Sequence, residues 1–177
     1  MKNSNATDLI YTCEIETPLG TATASATENG LTGLWFNKQK YYPQSANIWS
    51  NKPELPIFKD LTAWLSDYFK GANPSLTFQL APKGTSFQEA VWKILLEIPY
   101  GELTTYSAIA KQIAKERNLA SMSAQAVGGA VGHNPISIII PCHRVIGSDR
   151  TLTGYAGGLD KKVFLLRLEK VDLAGIE

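Results

Sequence analysis

The sequence predicts an α+β fold in two unlike parts, a small α/β unit over residues 1–84 and a helical unit with a helix-turn-helix over residues 85–177. Three observations carry this reading. β-Branched residues and turn signals crowd residues 10–36, a breaker cluster Ala81-Pro82-Lys83-Gly84-Thr85 interrupts the chain, and beyond it the apolar spacing turns helical. A chain of 177 residues, 44% of them hydrophobic, buries a core without disulfide staples.

Ile10 to Phe36 mixes β-branched residues with the turn signals Thr17-Pro18-Leu19-Gly20 and Glu28-Asn29-Gly30, which predicts two or three short antiparallel strands. Pro56 to Gly71 sets Ile57, Leu61, Trp64, Leu65, Tyr68 and Phe69 at helical spacing and stops at glycine, so an amphipathic helix should pack on that sheet. Leu76, Phe78 and Leu80 alternate like a short strand before the breaker cluster. In the second part Ser86-Phe87-Gln88-Glu89 reads as a capping box that opens a helix through Val91, Trp92, Leu95 and Leu96 and ends at Pro99-Tyr100-Gly101. The next helix should start near Thr105, which can cap it, and run to about Arg117; a third begins near Ser123 and stops at Asn134-Pro135. Joined by a turn, these two read as a helix-turn-helix. Ile136 to Ile140 reads as a strand that delivers Pro141-Cys142-His143-Arg144-Val145 into a glycine-rich loop, Gly147 to Gly158, and the last helix starts after Asp160.

Seventeen basic residues against 16 acidic exclude a polyelectrolyte tail or an acidic solvating protein as a description of the whole chain. Locally, Lys111 to Arg167 carries eight basic residues against three acidic, which suits either a solvated face or a nucleic-acid footprint. Cys13 and Cys142 cannot form a disulfide framework, and His133 and His143 offer no repeated ligand spacing, so no metal is expected. Met1 to Leu9 is polar and lacks an apolar signal core, and the longest aliphatic run, Ile136 to Ile140, is far short of a membrane span. A soluble, intracellular protein with reduced thiols is expected.

Cys142 lies between Pro141 and His143, with Arg144 two positions on. A thiol becomes nucleophilic where a histidine, a cation or a helix N-terminus lowers its pKa from roughly 8.5. In an extended segment Cys142 and His143 would face opposite sides, so their contact needs a bend or a bridging water. Taken alone, Cys142 reads equally as a buried structural cysteine, and Cys13, between Thr12 and Glu14, reads as core. The third helix is built almost wholly of small residues, Ser123, Ala124, Ala126, Gly128, Gly129, Ala130 and Gly132. Each interior glycine costs about 1 kcal/mol, so the run implies tight helix packing or close approach to a ligand backbone. Such a helix is thin enough to enter a minor groove roughly 6 Å wide. Trp92, Val91 and Leu95 read as core, His133 as a surface or capping residue, and Arg144 as a brace for backbone carbonyls rather than a phosphate contact.

The run Ile139-Ile140-Pro141-Cys142-His143-Arg144-Val145-Ile146-Gly147 is preceded by Ala126-Val127-Gly128-Gly129-Ala130 and Asn134-Pro135. It is followed by Gly154-Tyr155-Ala156-Gly157-Gly158 and by Leu165-Leu166 with Glu169. Together these resemble the 6-O-alkylguanine-DNA alkyltransferases, the methylated-DNA-protein-cysteine methyltransferases. Phe87-Gln88, Val91-Trp92, Ile98-Pro99 with Gly101, and Thr105-Tyr106 extend the likeness in order from Ser86 to Glu169, and Thr17 to Gly20 with Gly30-Leu31 add a looser match upstream.

The resemblance implies a ribonuclease-H-like first unit and a winged helix-turn-helix second unit. It implies DNA repair in a single turnover, with no cofactor: Cys142 takes the alkyl group from the guanine oxygen and keeps it as a thioether. In this scheme His143 removes the thiol proton through a water, Glu169 orients His143, Tyr106 hydrogen-bonds the base and protonates it as it leaves, and Asn134 links the recognition helix to the active-site loop. Val145 and the loop residues Tyr155, Ala156, Gly157 and Gly158 would wall a pocket for the flipped nucleotide. Thr105, Ser107, Ser123, Ala124, Gln125 and Gly128 would contact DNA. The implied partner is double-stranded DNA carrying 6-O-alkylguanine, bound in the minor groove with little sequence preference by a monomeric cytoplasmic protein without membrane attachment.

One position departs from the family pattern. Gln125 stands where an arginine usually precedes Ala126-Val127-Gly128, and a neutral amide implies weaker, more salt-tolerant DNA binding. The zinc ligand set of some relatives has no counterpart in the first unit. Two further readings use the same residues: a non-catalytic damage sensor or DNA-binding regulator, which the retained Cys142 opposes, and a thiol hydrolase, for which no residue identifies an oxyanion hole.

Overall fold

β-Branched stretches separated by tight turns build a meander of β1 (Tyr11–Thr17), β2 (Gly20–Thr27) and β3 (Gly30–Phe36). The computed structural model describes residues 9–176, so residues 1–8 of the polar stretch read for a targeting signal lie outside the described residues. A two-residue strand, β4 (Ser50–Asn51), pairs in parallel with β1 and completes a sheet of order β3-β2-β1-β4. Helix α1 (Pro56–Phe69) carries proline in its first turn, where a missing N–H costs nothing, and buries Phe58, Leu61, Leu65 and Tyr68.

The second part is helical, with α2 (Ser86–Leu96), α3 (Tyr106–Glu116), α4 (Ala124–Gly132) and α5 (Leu159–Leu168). Its two short strands, β5 (Thr104–Thr105) and β6 (Val145–Ile146), pair in parallel. Thr105 and Ser123 cap α3 and α4 as expected, their hydroxyls accepting from the amides of Ala108 and Ala126. The architecture is α+β, and one continuous core of buried side chains runs through both parts.

Four local expectations are corrected. The capping box sits one residue earlier, on Thr85 and Gln88; the Glu89 carboxylate instead accepts from the Gly84 amide. Leu76 to Leu80 forms no strand, only a single bridge from Leu80 to Leu31, because the segment passes as a connector along β3. Ile136 to Ile140 is not a strand either. Ile136 makes one bridge to Leu34 and the chain then turns, with Ile138 at φ 71°, a conformation a β-branched residue rarely adopts. A short buried apolar run looks the same in sequence whether it is extended or turned. Finally, α5 begins at Leu159, because Gly158 at φ 101° takes the entry position that Asp160 was expected to hold.

The edge of β3 is what joins the parts. Leu34 N–H donates to the Pro135 carbonyl (2.8 Å), and Ser137 N–H donates to the Leu34 carbonyl (2.9 Å). The chain that leaves α4 is thereby fixed on the sheet, and an exposed strand edge is covered.

Candidate active site

The turn after Ile140 builds the site. Pro141 leads into one turn of 3-10 helix over Cys142–Arg144, so successive side chains diverge by about a third of a turn instead of facing opposite sides. Cys142, His143 and Arg144 are all buried. His143 Nε2 meets Glu169 Oε1 at 2.7 Å, and the Arg144 guanidinium donates to both oxygens of Glu169, from Nε (2.8 Å) and Nη2 (2.9 Å). Arg144 also donates to the Ile98 carbonyl (2.6 Å), the backbone brace expected of it, although Glu169 is its larger partner. The carboxylate receives further bonds from the Tyr68 hydroxyl (2.7 Å) and the Gly101 amide (3.2 Å).

These contacts set the protonation states. Burial alone would raise the Glu169 pKa, but the bonds from His143, Arg144 and Tyr68 hold it well below the ordinary carboxylate range. Burial lowers the His143 pKa against the opposing pull of Glu169, so the ring is neutral at pH 7. With Nε2–H donating to the carboxylate, Nδ1 is the ring's acceptor, and it is buried without a partner among the described residues. Burial pushes the Cys142 thiol up, while a hydrogen bond from the Asn134 side chain and the charge of Lys162 act in the other direction. Asn134 is held by two backbone bonds, from its Nδ2 to the Ile140 carbonyl (2.7 Å) and from Ile136 N–H to its Oδ1 (3.0 Å). It ties the end of α4 to the turn that carries the cysteine.

Tyr106, at the start of α3, donates its hydroxyl to the Thr153 carbonyl (3.0 Å), and its pKa is pushed up to about 12 by burial and by Cys142. Val145 is fully buried in β6 beside the turn. Across from it the loop of Tyr155, Ala156, Gly157 and Gly158 is half-buried, with the Tyr155 hydroxyl enclosed and unpartnered among the described residues. The first part closes on this loop: Lys40 N–H donates to the Ala156 carbonyl (3.0 Å), and a Cβ on Gly157 would stand 3.1 Å from the Phe36 ring.

On α4, Gln125, Ala126 and Gly129 are exposed, and a Cβ at Gly129 would meet nothing within 4 Å. Gly128 faces the Tyr106 ring, 3.8 Å from where its Cβ would stand. Gly128 thus lies on the side of α4 that faces Tyr106, and Gly129 on a low open face. Ser123 and Gln125 are exposed, and Ala124, Thr105 and Ser107 half-buried at the N-terminal ends of α3 and α4. His133 caps α4, its Nδ1 2.7 Å from the Gly129 carbonyl, and stacks on Tyr41 with ring centroids 3.8 Å apart.

A family profile described as the ribonuclease-like domain of 6-O-methylguanine DNA methyltransferase matches residues 10–82, and one described as its DNA binding domain matches residues 86–171. The methylated-DNA-protein-cysteine methyltransferase of Haemophilus influenzae is 44% identical over 92% of this chain and 87% of its own length. That of Methanosarcina barkeri is 48% identical over 90% of this chain and 96% of its own. The chain belongs to the methylated-DNA-protein-cysteine methyltransferase family. It is a DNA repair protein that binds DNA and transfers methyl groups from 6-O-methylguanine. Among solved structures, the Mycobacterium tuberculosis O6-methylguanine methyltransferase aligns at TM-score 0.78 and 41% identity over 93% of this chain and 98% of that one. The same organism's OGT in complex with DNA aligns at TM-score 0.77 and 42% identity over 91% and 92%.

Within this methyltransferase, sequence reading missed three participants. Tyr68 reaches Glu169 from α1, 101 positions away. Lys162, read only as one of the local basic charges, is fully buried. Arg144, expected to serve backbone, is locked to Glu169. Only Lys162 left a trace in sequence, standing two residues before Phe164 and three before Leu165 on a helix with an apolar face. Among the described residues no group of three His, Cys, Asp or Glu side chains could hold a metal, and no helix is long and apolar enough to cross a membrane.

Proposed function

We propose that Cys142 is the acceptor of the methyl group and that His143 is its base. The observation that carries this is the His143–Glu169 contact of 2.7 Å, which orients a neutral ring in the same buried turn as the thiol and leaves Nδ1 as its acceptor. The thiol proton passes to His143 through a bridging water; the sulfur electron pair forms a bond to the methyl carbon as the carbon–oxygen bond breaks toward guanine. Tyr106 turns its hydroxyl from the Thr153 carbonyl to the base and gives it a proton, so neutral guanine leaves, and solvent restores the phenol as His143 gives up its proton. A thioether is not a leaving group, so each molecule acts once.

The guanine oxygen is out of reach inside a duplex, so the nucleotide is flipped against Val145 and the Tyr155 to Gly158 loop. The open face of Gln125, Ala126 and Gly129, with Thr105, Ser107, Ser123, Ala124 and Gly128 around it, supports minor-groove entry with little sequence preference. The reading extends to a cytoplasmic monomer whose boundary between the two units falls at residues 84 and 85. The test is incubation with an oligonucleotide containing 6-O-methylguanine, followed by intact and peptide masses. A methyl adduct is expected on the Cys142 peptide and absent from Cys142→Ala; tight binding with unmodified protein would favour a damage sensor instead.

A further inference from the structure

Tyr68 is a buried ionisable group with no part in the transfer steps. It is 1% exposed on α1, in the stretch matched by the ribonuclease-like domain, with its ring stacked on Trp64 (centroids 5.3 Å apart, 9° between planes) and edge-on to Phe69 and Tyr100. Packing asks only for the ring, and phenylalanine would fill the same space; a buried phenol needs a partner for its hydroxyl. The partner is Glu169 Oε1, which accepts from the Tyr68 hydroxyl at 2.7 Å. Oε1 is also the oxygen that His143 Nε2 meets at 2.7 Å and that Arg144 Nη2 reaches at 2.9 Å, while Arg144 Nε and the Gly101 amide donate to Oε2. Among these donors Tyr68 alone comes from the first part of the chain.

To take the thiol proton His143 must begin neutral, yet an unshielded carboxylate 2.7 Å from Nε2 would draw a proton onto the ring. Each further donor to Oε1 takes up part of its negative charge and weakens that pull. We propose that Tyr68 is a positioning residue for methyl transfer that keeps His143 available as the base: by donating to the oxygen that His143 meets, it limits how strongly Glu169 holds a proton on the ring. The first part of the chain thereby acts on the chemistry of the second through one hydrogen bond. This deepens the reading that His143 is the base for Cys142 and rests on it. The other ionisable groups around Tyr68, His143 and Glu169 are Cys142 and Arg144 of the turn, Lys162 from α5, Tyr100 from the turn after α2 and Tyr155 from the loop. Of these Arg144 alone donates to Glu169, and it belongs to the same turn as His143, so Tyr68 is the donor set independently of that turn. Burial and the Glu169 charge hold the Tyr68 hydroxyl far above its ordinary pKa, so it stays protonated and donates throughout the neutral range.

The test is nitrogen-15 NMR of histidine-labelled protein without DNA, wild type against Tyr68→Phe, which keeps the ring and removes the donor; the chain has two histidines, and His133 is exposed. In Tyr68→Phe the protonation midpoint of His143 should rise by about half a pH unit, a threefold change in proton affinity, and its Nε2–H proton at pH 7 should move downfield as the bond to Glu169 strengthens. The acid limb of the single-turnover methyl-transfer rate should rise by the same amount, while affinity for the oligonucleotide stays within about twofold of wild type. A midpoint and an Nε2–H resonance that both stay where wild type has them would overturn the proposal, and so would an upfield move of the resonance, the sign of a merely loosened pocket. If the ring stays neutral in both proteins down to acid unfolding, the resonance decides alone. If Tyr68→Phe does not fold, a ring-fluorinated tyrosine at position 68, a stronger donor, takes its place: both shifts should then run in the opposite direction, and no shift overturns the proposal. A failure of His143 to act as the base would appear separately, as a wild-type transfer rate whose acid limb does not follow the His143 midpoint.

Discussion

Two cysteines in two regions of this protein are buried to nearly the same degree and meet different surroundings. Cys13, in β1, is 3% exposed and Cys142, in the turn before β6, is 6% exposed. Burial pushes both thiols up, Cys13 to about 11. Around Cys13 no group among the described residues opposes that effect, whereas around Cys142 the Asn134 side chain, the Lys162 charge and two backbone amides all favour the thiolate. Burial alone makes a cysteine inert; a turn that presents polar partners to it makes a buried cysteine usable.

The sharpest break of this contrast is removal of each thiol by substitution with alanine. Cys142→Ala should abolish methyl uptake, and Cys13→Ala should retain it while losing about 1 kcal/mol of stability, measured by urea unfolding. Loss of transfer in a folded Cys13→Ala protein would mean that the sheet region takes part in the chemistry. Next in size is Glu169→Gln. It leaves the buried Arg144 guanidinium without its counter-charge and should cost about 3–5 kcal/mol in the same measurement, far more than any exchange at Cys13.

Acid should then weaken the Cys142 region first. The folded protein holds both His143 and Glu169 below their ordinary values of 6.5 and 4.5, so the unfolded chain binds more protons at each. Their contribution is complete above about pH 6.5 and is lost as pH falls, through His143 first and through Glu169 below the ordinary carboxylate range. The urea midpoint should therefore drop between pH 7 and pH 5, and hydrogen exchange should show the turn and the end of α5, where Glu169 lies, opening before β1 and β2. The smallest effect is expected on the open face of α4. Gln125→Arg adds one cation there and should raise DNA affinity and steepen its dependence on salt by about one phosphate contact, a log–log slope change of roughly 0.9. Equal slopes in titrations at several salt concentrations would remove the argument that Gln125 restrains binding.

Much of this was legible in sequence. The hairpin turns, the amphipathic α1, the caps at Thr105 and Ser123 and the small-residue α4 follow from local rules of backbone conformation, and the structure has them where the sequence puts them. The Pro141 to Val145 run marked the candidate nucleophile. Legibility ended at Ile136 to Ile140, where apolar composition concealed a turn, and that turn decides how Cys142 and His143 are presented. It ended again at Tyr68, whose helical spacing announced a core residue but not that its hydroxyl would reach Glu169.

By itself, then, the sequence determined the order of elements, the α+β class and the residues on which chemistry is possible, because periodicity, capping and turn preference act over a few residues. Only the tertiary structure decided which polar groups gather around Cys142. Docking Pro135 to Ser137 on the edge of β3 places Asn134, the packing of α1 brings Tyr68 to Glu169, and α5 carries Lys162 to the Val145 and Thr153 carbonyls. Those contacts join segments far apart in the chain, and their energies depend on the low-dielectric interior that exists once the core has closed.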